Sequence, residues 1–245
     1  MSKRTLTLCV FALNELEGMK VVGPRINNQK KCLERILLID GGSTDGTAEY
    51  ARELGWDVII QPDDRKGMLN ANNLAIENST TTHLIFFSPD NNCIPEKISE
   101  IHQKLMEDDY DLIKVSRYLD GAKSQDDNRL TAFGNWMFTT AVNIFFGSKY
   151  TDVLGIYYGV KREVFLNTGI KRVLTINTHL AIWCKVLNKK TTEISGDEPA
   201  RIGGETKQNY WYNGAYESYT IISLFLIKIF NKQYFLKYLK NNIKD

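Results

Sequence analysis

The sequence predicts an α/β fold in which a doubly wound, mostly parallel sheet carries helices on both faces. Short apolar runs alternate with helix-like stretches from Thr5 to Ile194, and this alternation is typical of βαβ units. The run Ile36-Leu37-Leu38-Ile39 contains no polar residue, as expected for a strand covered on both sides. Polar residues directly follow several predicted strands, at the edge where open parallel sheets bind ligands.

The composition fits one large domain with an appendage. The chain has 245 residues, 43% of them hydrophobic, and a mean hydropathy of −0.30, which argues against a polytopic membrane protein. The net charge of +2 gives no reason to expect binding to nucleic acid. Residues 201–245 alone carry a net charge of +4. We divide the chain into an α/β domain over 1–210 and a C-terminal helical appendage over 211–245.

The first half of the chain predicts five strands in regular alternation with helices. Strand 5–13 precedes a helix over 17–22 that Pro24 ends, and strand 36–40 follows. The next helix, 47–54, begins after a glycine turn, with Ser43 or Thr44 as its N-cap and Gly55 as its C-cap. Strand 57–61, helix 68–78, strand 83–87, helix 96–106 and strand 112–116 continue the pattern.

The second half is richer in aromatic residues. We predict helix 130–146, a strand and turn over 157–165, helix 178–187, strand 191–194 and a loop over 198–207. A polar, tyrosine-rich joint leads to an apolar helix over 219–230, which at about twelve residues is shorter than the roughly twenty needed to cross a bilayer. Residues 233–244 combine aromatic residues and leucines with lysines, as amphipathic helices at a membrane interface do.

The cysteines and the amino terminus predict a cytoplasmic protein. Cys9, Cys32, Cys93 and Cys184 are widely spaced and form no CxxC pair, so free thiols in a reducing compartment are expected and a zinc site is not. Residues 1–4 precede only a short apolar run, which does not predict a cleavable signal peptide.

Three predicted strands end in polar residues suited to a nucleotide. Asn14 and Glu15 follow the first strand, Asp40 closes the second, and the segment 88–92 (SPDNN) follows a later one. Carboxylates accept hydrogen bonds from ribose hydroxyls or base N–H groups. Mg²⁺ is often held by one or two carboxylates together with water and phosphate oxygens, so Asp90 is the predicted cation ligand. Positive charge for a diphosphate is expected from Lys66, Arg201 and Lys207. In the purely structural alternative, Asp40 and Asp45 only cap a βα turn.

These motifs resemble glycosyltransferase family 2, whose members have the GT-A fold and use nucleotide sugars. Residues 9–15 (CVFALNE) resemble the opening strand motif, residues 38–47 (LIDGGSTDGT) the second motif, and residues 87–90 (FSPD) the metal-binding motif. Residues 116–118, Arg129, Asp152 and the segment 201–207 (RIGGETK) are similar to the polyprenyl-phosphate branch, which contains the dolichol-phosphate mannose and glucose synthases. The likeness covers roughly residues 5–207.

The resemblance implies an inverting transfer from a UDP- or GDP-linked sugar to a polyprenyl phosphate. The protein would use Mg²⁺ or Mn²⁺ and lie peripherally on the cytoplasmic face of a membrane. Asp90 and Asn92 are the implied metal ligands, and Asp90, Arg117 and Arg129 the catalytic candidates. In this branch the arginines that match Arg117 and Arg129 contact the acceptor phosphate. Because this phosphate is already an anion, its attack needs no general base. The implied contacts of the nucleotide sugar are Ala12, Asn14, Glu15, Asp40, Gly42, Lys66, Gly67, Ser88, Arg201 and Lys207.

Departures from the family pattern leave other functions open. Phe11 replaces a usual proline, Ser88 replaces the first acid of the Asp-x-Asp motif, and His179 stands where relatives often carry a glutamate; we interpret His179 as a packing residue. Transfer to a sugar hydroxyl would need a carboxylate base, for which the candidates are Asp126, Asp127, Asp152 and Asp197. A nucleotide-sugar-binding module without turnover is the second alternative. A nicotinamide dehydrogenase is disfavoured because no GxGxxG follows the first strand. In the structural alternative for the arginines, both form surface ion pairs with Asp120, Asp126 or Asp127.

Overall fold

The computed structural model describes residues 4–166, 175–203 and 210–230. These residues form seven strands and eight α-helices. The strands are β1 (Leu6–Ala12), β2 (Arg35–Asp40), β3 (Asp57–Ile60), β4 (His83–Phe87), β5 (Leu112–Ser116), β6 (Tyr158–Lys161) and β7 (Thr191–Ser195). The helices are α1 (Leu16–Asn27), α2 (Thr47–Glu53), α3 (Met68–Glu77), α4 (Lys97–Met106), α5 (Arg129–Phe146), α6 (Arg162–Leu166), α7 (Ile176–Val186) and α8 (Tyr210–Phe230).

All seven strands belong to one sheet in the order β3-β2-β1-β4-β6-β5-β7. The pairs β1–β2, β1–β4, β2–β3 and β5–β7 are parallel, whereas β6 runs antiparallel to both β4 and β5. Since β1 is flanked by β2 and β4, the carboxyl ends of these three strands lie side by side. The predicted mostly parallel α/β sheet is therefore confirmed.

Helices cover both faces of the sheet, because alternate residues of each central strand point to opposite sides. Cys9, Leu37 and Phe86 belong to the core that also contains residues of α3, α5, α7 and α8. Val10 and Leu38 belong to the second core, under α1, α2 and α4. The continuous apolar run of β2 is thus buried on both sides, as the sequence predicted.

Pro24 does not end the first helix, contrary to the prediction. It lies inside α1, which continues to Asn27. The proline is on the exposed side of the helix, so the carbonyl that loses its helical partner faces water. Met19, Val22 and Ile26 on the opposite side are fully buried, and this packing favours the continued helix over the break that proline favours locally.

The sequence predicted a joint before residue 219, but this tyrosine-rich stretch forms the first half of α8. Helix α8 packs against the domain: Ile221 and Leu224 are buried in the core shared with α5 and α7, and the ring of Phe225 stacks on Phe145 at 4.2 Å. The predicted boundary at 210 falls at the start of this helix. The second predicted C-terminal helix, 233–244, lies outside the described residues, among which no helix is both long enough and apolar enough to cross a membrane.

Candidate active site

The carboxyl ends of β1, β2 and β4 bring the predicted donor residues to one edge of the sheet. Asn14 and Glu15 follow β1, Asp40 is the last residue of β2, and Ser88 follows β4. Ala12, the last residue of β1, is paired in register with Asp40, and its carbonyl accepts a hydrogen bond from Gly41 N at 2.8 Å.

Asp40 shapes the turn that follows it. Its Oδ2 accepts hydrogen bonds from the backbone N–H groups of Gly42 (2.9 Å) and Ser43 (2.8 Å), and its Oδ1 accepts one from Ser43 Oγ (2.5 Å). The residue is fully buried, and Gly42 has a φ of +95°, a conformation that favours glycine. The structural role left open by the sequence is therefore present. A carboxylate has about four acceptor positions, so the three internal hydrogen bonds leave about one acceptor position unused.

Asp45 ties the β1–α1 and β2–α2 turns together. Its Oδ1 accepts hydrogen bonds from Thr47 N (3.0 Å) and Thr47 Oγ1 (2.6 Å), and its Oδ2 accepts one from Leu16 N (3.0 Å). Burial opposes ionisation, but these hydrogen bonds hold the pKa of Asp45 below its usual range. Asp45, not the predicted Ser43 or Thr44, satisfies the first N–H group of α2, that of Thr47.

Lys66 places a positive charge beside the Asp40 turn. Its Nζ donates to the carbonyl oxygens of Gly41 (3.0 Å) and Gln61 (2.9 Å) and lies 3.5 Å from Asp63 Oδ1. A Cβ atom at Gly42 would lie 2.8 Å from this ammonium group. Gly67, next along the chain, has a φ of +92° and precedes α3.

Arg201 joins the first and third motifs. Its Nη1 lies 2.9 Å from Asp90 Oδ2, and its Nη2 donates to Glu15 Oε1. The surrounding backbone is also fixed, because Ile202 N donates to Asp90 O at 2.9 Å and Asn91 Nδ2 donates to Ala200 O at 3.0 Å. The segment 200–203 therefore lies against the Asp90 loop, whereas Lys207, the other predicted basic residue, lies outside the described residues.

Arg117, at the end of β5, is surrounded by acids. Its Nε and Nη2 form a two-pronged ion pair with Asp152 at 2.7 and 3.1 Å. Its Nη1 lies 3.3 Å from Glu198 Oε2 and 3.5 Å from Asp127 Oδ2. Burial opposes the charge of both partners, yet these interactions raise the pKa of Arg117 and lower that of Asp152. In this arrangement the guanidinium is directed at carboxylates, whereas the sequence predicted a phosphate contact.

A fully buried lysine, Lys114 of β5, lies next to this cluster. Lys114 Nζ donates to Val153 O (3.2 Å) and Gly155 O (2.9 Å), and Glu193 accepts a hydrogen bond from Asp152 N at 3.0 Å. Burial lowers the pKa of Lys114 and raises that of Glu193. Lys114 and Glu193 were not predicted as site residues. The available signal was a charged residue at the central position of each strand, LIKVS and TTEIS.

The profile described as Glycosyl transferase family 2 matches residues 7–175. This chain belongs to glycosyltransferase family 2. The family predicted from the motifs, and with it the enzyme class, is confirmed.

Two kinds of relative extend this result. The chain is 30% identical over 164 residues to "Glycosyltransferase AglJ" of Haloferax volcanii, a match that covers 65% of this chain and 52% of that protein. The chain thus spans about half the length of this curated relative. Among solved structures, glucosyl-3-phosphoglycerate synthase of Mycobacterium tuberculosis, bound to phosphoglyceric acid, has a TM-score of 0.67 at 16% identity over 93% of this chain and 80% of its own. The same enzyme with Mn²⁺, UDP and glucosyl-3-phosphoglycerate gives 0.68 at the same identity and coverage. These likenesses show the GT-A fold.

The family's divalent cation fits the oxygens present after β4. Asp90 is buried, and its Oδ1 accepts a hydrogen bond from Asn92 N at 3.2 Å. Asn92 donates its Nδ2 to Asp126 Oδ2 at 2.8 Å, which directs its Oδ1 elsewhere; this oxygen is buried and has no hydrogen-bond partner within the described parts of the chain. No group of three or more acidic, histidine or cysteine side chains suited to a metal occurs among the described residues, so most ligands would come from phosphate and water.

The remaining candidates occupy distinct positions around this family 2 site. Asp152 is buried against Arg117, Asp127 accepts from the Tyr118 hydroxyl, and Asp197 accepts from Lys123 N at 2.8 Å. Asp126 is exposed and bonded to Asn92. Arg129 is the exposed first residue of α5, and no acidic side chain lies within ion-pair distance of it in the described part of the chain. His179 is buried in α7.

Proposed function

We propose that the protein is an inverting glycosyltransferase that moves a sugar from a nucleoside-diphosphate donor to a polyprenyl phosphate. The observation that carries the donor half is the meeting of Glu15, Asp40 and Asp90 with two cationic side chains, Lys66 and Arg201, at one sheet edge. Carboxylates suit the nucleoside, and the ammonium and guanidinium groups suit a diphosphate. The UDP and Mn²⁺ bound by a structural relative support the same donor class.

In the proposed reaction, a phosphate oxygen of the acceptor attacks the anomeric carbon. The bond to the diphosphate breaks, and the nucleoside diphosphate leaves with its electron pair, so the configuration inverts. Bound Mg²⁺ or Mn²⁺, held by Asp90 and Asn92, would supply positive charge on the leaving diphosphate. Lys66 and Arg201 add to that charge. Asp40 and Asp45 hold the turns rigid, which keeps the donor oriented.

The exposed side chains of α5 and α8 support the proposal of a lipid acceptor. Residues 130–146 contain no charged side chain, and α8 contains only Glu217 and Lys228. Both point inward: Lys228 Nζ donates to Phe145 O at 2.8 Å, and burial raises the pKa of Glu217. The two helices instead expose large apolar and aromatic side chains, namely Leu130, Phe133, Trp136, Met137, Ile144, Trp211, Tyr212, Tyr219, Ile222, Leu226, Ile229 and Phe230. We name this set the α5–α8 surface.

Exposed aromatic and apolar side chains of this kind suit a membrane interface. Tryptophan and tyrosine are favoured where an apolar phase meets water, and an exposed apolar area rimmed by polar residues marks an interaction site. Arg129 stands at the end of this surface, which would bring a guanidinium to the level of lipid phosphates. The protein would therefore lie on the cytoplasmic face of a membrane, with the acceptor chain held in the lipid.

The acceptor is tested by transfer of radiolabelled sugar. We expect label in an acid-labile lipid when UDP- or GDP-sugars are supplied with polyprenyl phosphate. Arg129→Gln should lower this transfer without changing donor binding, whereas the matched control Lys149→Gln, at the other end of α5, should not. Label only on free sugars would assign the protein to the hydroxyl-transfer alternative, for which Asp126 is the exposed candidate base. Donor binding without any transfer would indicate the binding module.

The donor site and the membrane contact have their own tests. Asp90→Asn should abolish metal-dependent turnover while the protein stays folded; an unchanged rate and metal dependence would show that the metal ligand is misassigned. Phe133→Ser combined with Trp136→Ser should reduce sedimentation of the full chain with anionic liposomes. Equal sedimentation of the variant and the wild type would contradict the membrane contact.

A further inference from the structure

One guanidinium group contacts both of the carboxylates that are proposed to serve different parts of the donor. Arg201 contacts Glu15, on the nucleoside side, and Asp90, the proposed cation ligand. The side chains of Arg201, Glu15 and Asp90 are only 21%, 10% and 7% exposed. Water screens these ion pairs poorly, so removal of the arginine would take this counter-charge away from two buried carboxylates.

The backbone around Arg201 is built to hold it there. A Cβ atom at Gly18 in α1 would lie 2.4 Å from Pro89 O and 3.2 Å from Ile202 O, so only a glycine lets these three segments approach. Gly203 has a φ of +69°, and its carbonyl accepts a hydrogen bond from Arg201 Nε at 3.2 Å. The position of Arg201 therefore does not depend on its two ion pairs alone.

Asp90 cannot hold Arg201 and a metal ion without bringing two positive charges close together. Mg²⁺ binds oxygen at about 2.0–2.1 Å, whereas Arg201 Nη1 already lies 2.9 Å from Asp90 Oδ2. A cation on this oxygen would face the positive guanidinium at close range in a poorly screened site. Metal binding at Asp90 therefore disfavours the present position of Arg201.

We propose that Arg201 is the resident counter-cation of the donor site and is exchanged for the divalent cation when the donor binds. This inference rests on the proposed donor site. A cation arriving alone must displace Arg201 into a position with fewer anionic partners. A nucleoside diphosphate arriving with the cation offers the displaced guanidinium phosphate oxygens, which match its geometry. Arg201 thus couples the two ligands, and each raises the affinity for the other by the same factor.

The exchange is tested by titrating the full-length protein with Mn²⁺ and measuring free Mn²⁺ by electron paramagnetic resonance, with and without UDP. The wild type should bind Mn²⁺ weakly alone and more tightly with UDP. Arg201→Gln should bind Mn²⁺ alone roughly ten- to a hundredfold more tightly than the wild type, the usual range of such couplings, and UDP should raise its Mn²⁺ affinity by a smaller factor than in the wild type. Arg201→Lys keeps the charge but cannot contact both acids as a guanidinium fork does. Its Mn²⁺ affinity should therefore lie between those of the wild type and Arg201→Gln. This conservative variant separates the loss of the guanidinium from a folding defect.

Lys66→Gln is the matched control, because it removes a positive charge from the same edge without a contact to Asp90. Its Mn²⁺ affinity should rise by less than about threefold, since exposed charges interact weakly. An equal rise in Lys66→Gln and Arg201→Gln, or Mn²⁺ affinity no higher in Arg201→Gln than in the wild type, would overturn the exchange. Failure of UDP or GDP to bind any variant would instead contradict the proposed donor site. The Mn²⁺ titrations without nucleotide would still test whether Arg201 competes with the cation.

Discussion

Replacing Glu217 of α8 by Gln should remove a pH dependence of stability that this carboxyl group creates. Burial raises its pKa from 4.5 to about 7, although Thr178, Thr175 and Lys114 act in the opposite direction. The folded protein thus holds a proton that the unfolded chain releases between these values. The stabilisation is fully present below pH 4.5 and is lost as the pH rises through about 7.

The shift sets the size of the effect. A difference of this size between folded and unfolded pKa values corresponds to about 3 kcal/mol, as an upper bound. Urea denaturation at several pH values between 4.5 and 8 would measure it. The difference in unfolding free energy between wild type and Glu217→Gln should change by up to that amount across the range. Glu53→Gln, at an exposed position at the end of α2, is the control and should give a flat difference.

A flat difference for Glu217→Gln as well would refute the reasoning. It would mean that α8 does not hold Glu217 against the domain as the structure describes. A local loss of α8 would be seen as a change in the denaturation slope, which scales with the surface exposed on unfolding.

Three further substitutions test the packing around the site, each measured by urea denaturation. Gly18→Ala should destabilise the protein by about 1–3 kcal/mol and weaken Mn²⁺ binding, because the new Cβ would meet Pro89 O at 2.4 Å. Asp152→Asn should cost about 3 kcal/mol or more, since it leaves the buried Arg117 without its main partner. Phe225→Ala should cost about 2 kcal/mol through the lost stacking and burial against α5.

Matched changes separate these effects from general sensitivity to substitution. Gly134→Ala in α5 should stabilise by about 0.5–1 kcal/mol, since its Cβ would meet nothing within 4 Å. Asp57→Asn removes an exposed ion pair to Arg35 and should cost less than about 1 kcal/mol. A free energy of unfolding no lower in Gly18→Ala than in Gly134→Ala would contradict the close approach at Gly18. A loss in Asp152→Asn no larger than in Asp57→Asn would contradict the buried cluster around Arg117.

The sequence predicted the layout of the sheet because the signal there is local. An unbroken apolar run such as residues 36–39 is compatible with few environments, and the strands β4 and β5 were predicted with the bounds that the structure gives them. The edge carrying Glu15, Asp40 and Asp90 follows from parallel pairing, since the carboxyl ends of neighbouring parallel strands must coincide. Pro24 and the start of α8 were missed, because distant packing decided the helix limits there.

What the tertiary structure alone decided is which charged groups meet. Arg201 is 111 residues from Asp90 and 186 from Glu15, and Arg117 is 35 residues from Asp152 and 81 from Glu198. Residue type and spacing along the chain carry no information about such pairs, because ion-pair energies depend on distances of a few ångströms and on burial. The sequence by itself thus determined the fold, the family and the polar edge. Only the packing of loops 88–92, 117–128 and 197–203 decided that Arg117 faces carboxylates and that Arg201 sits on the cation ligand.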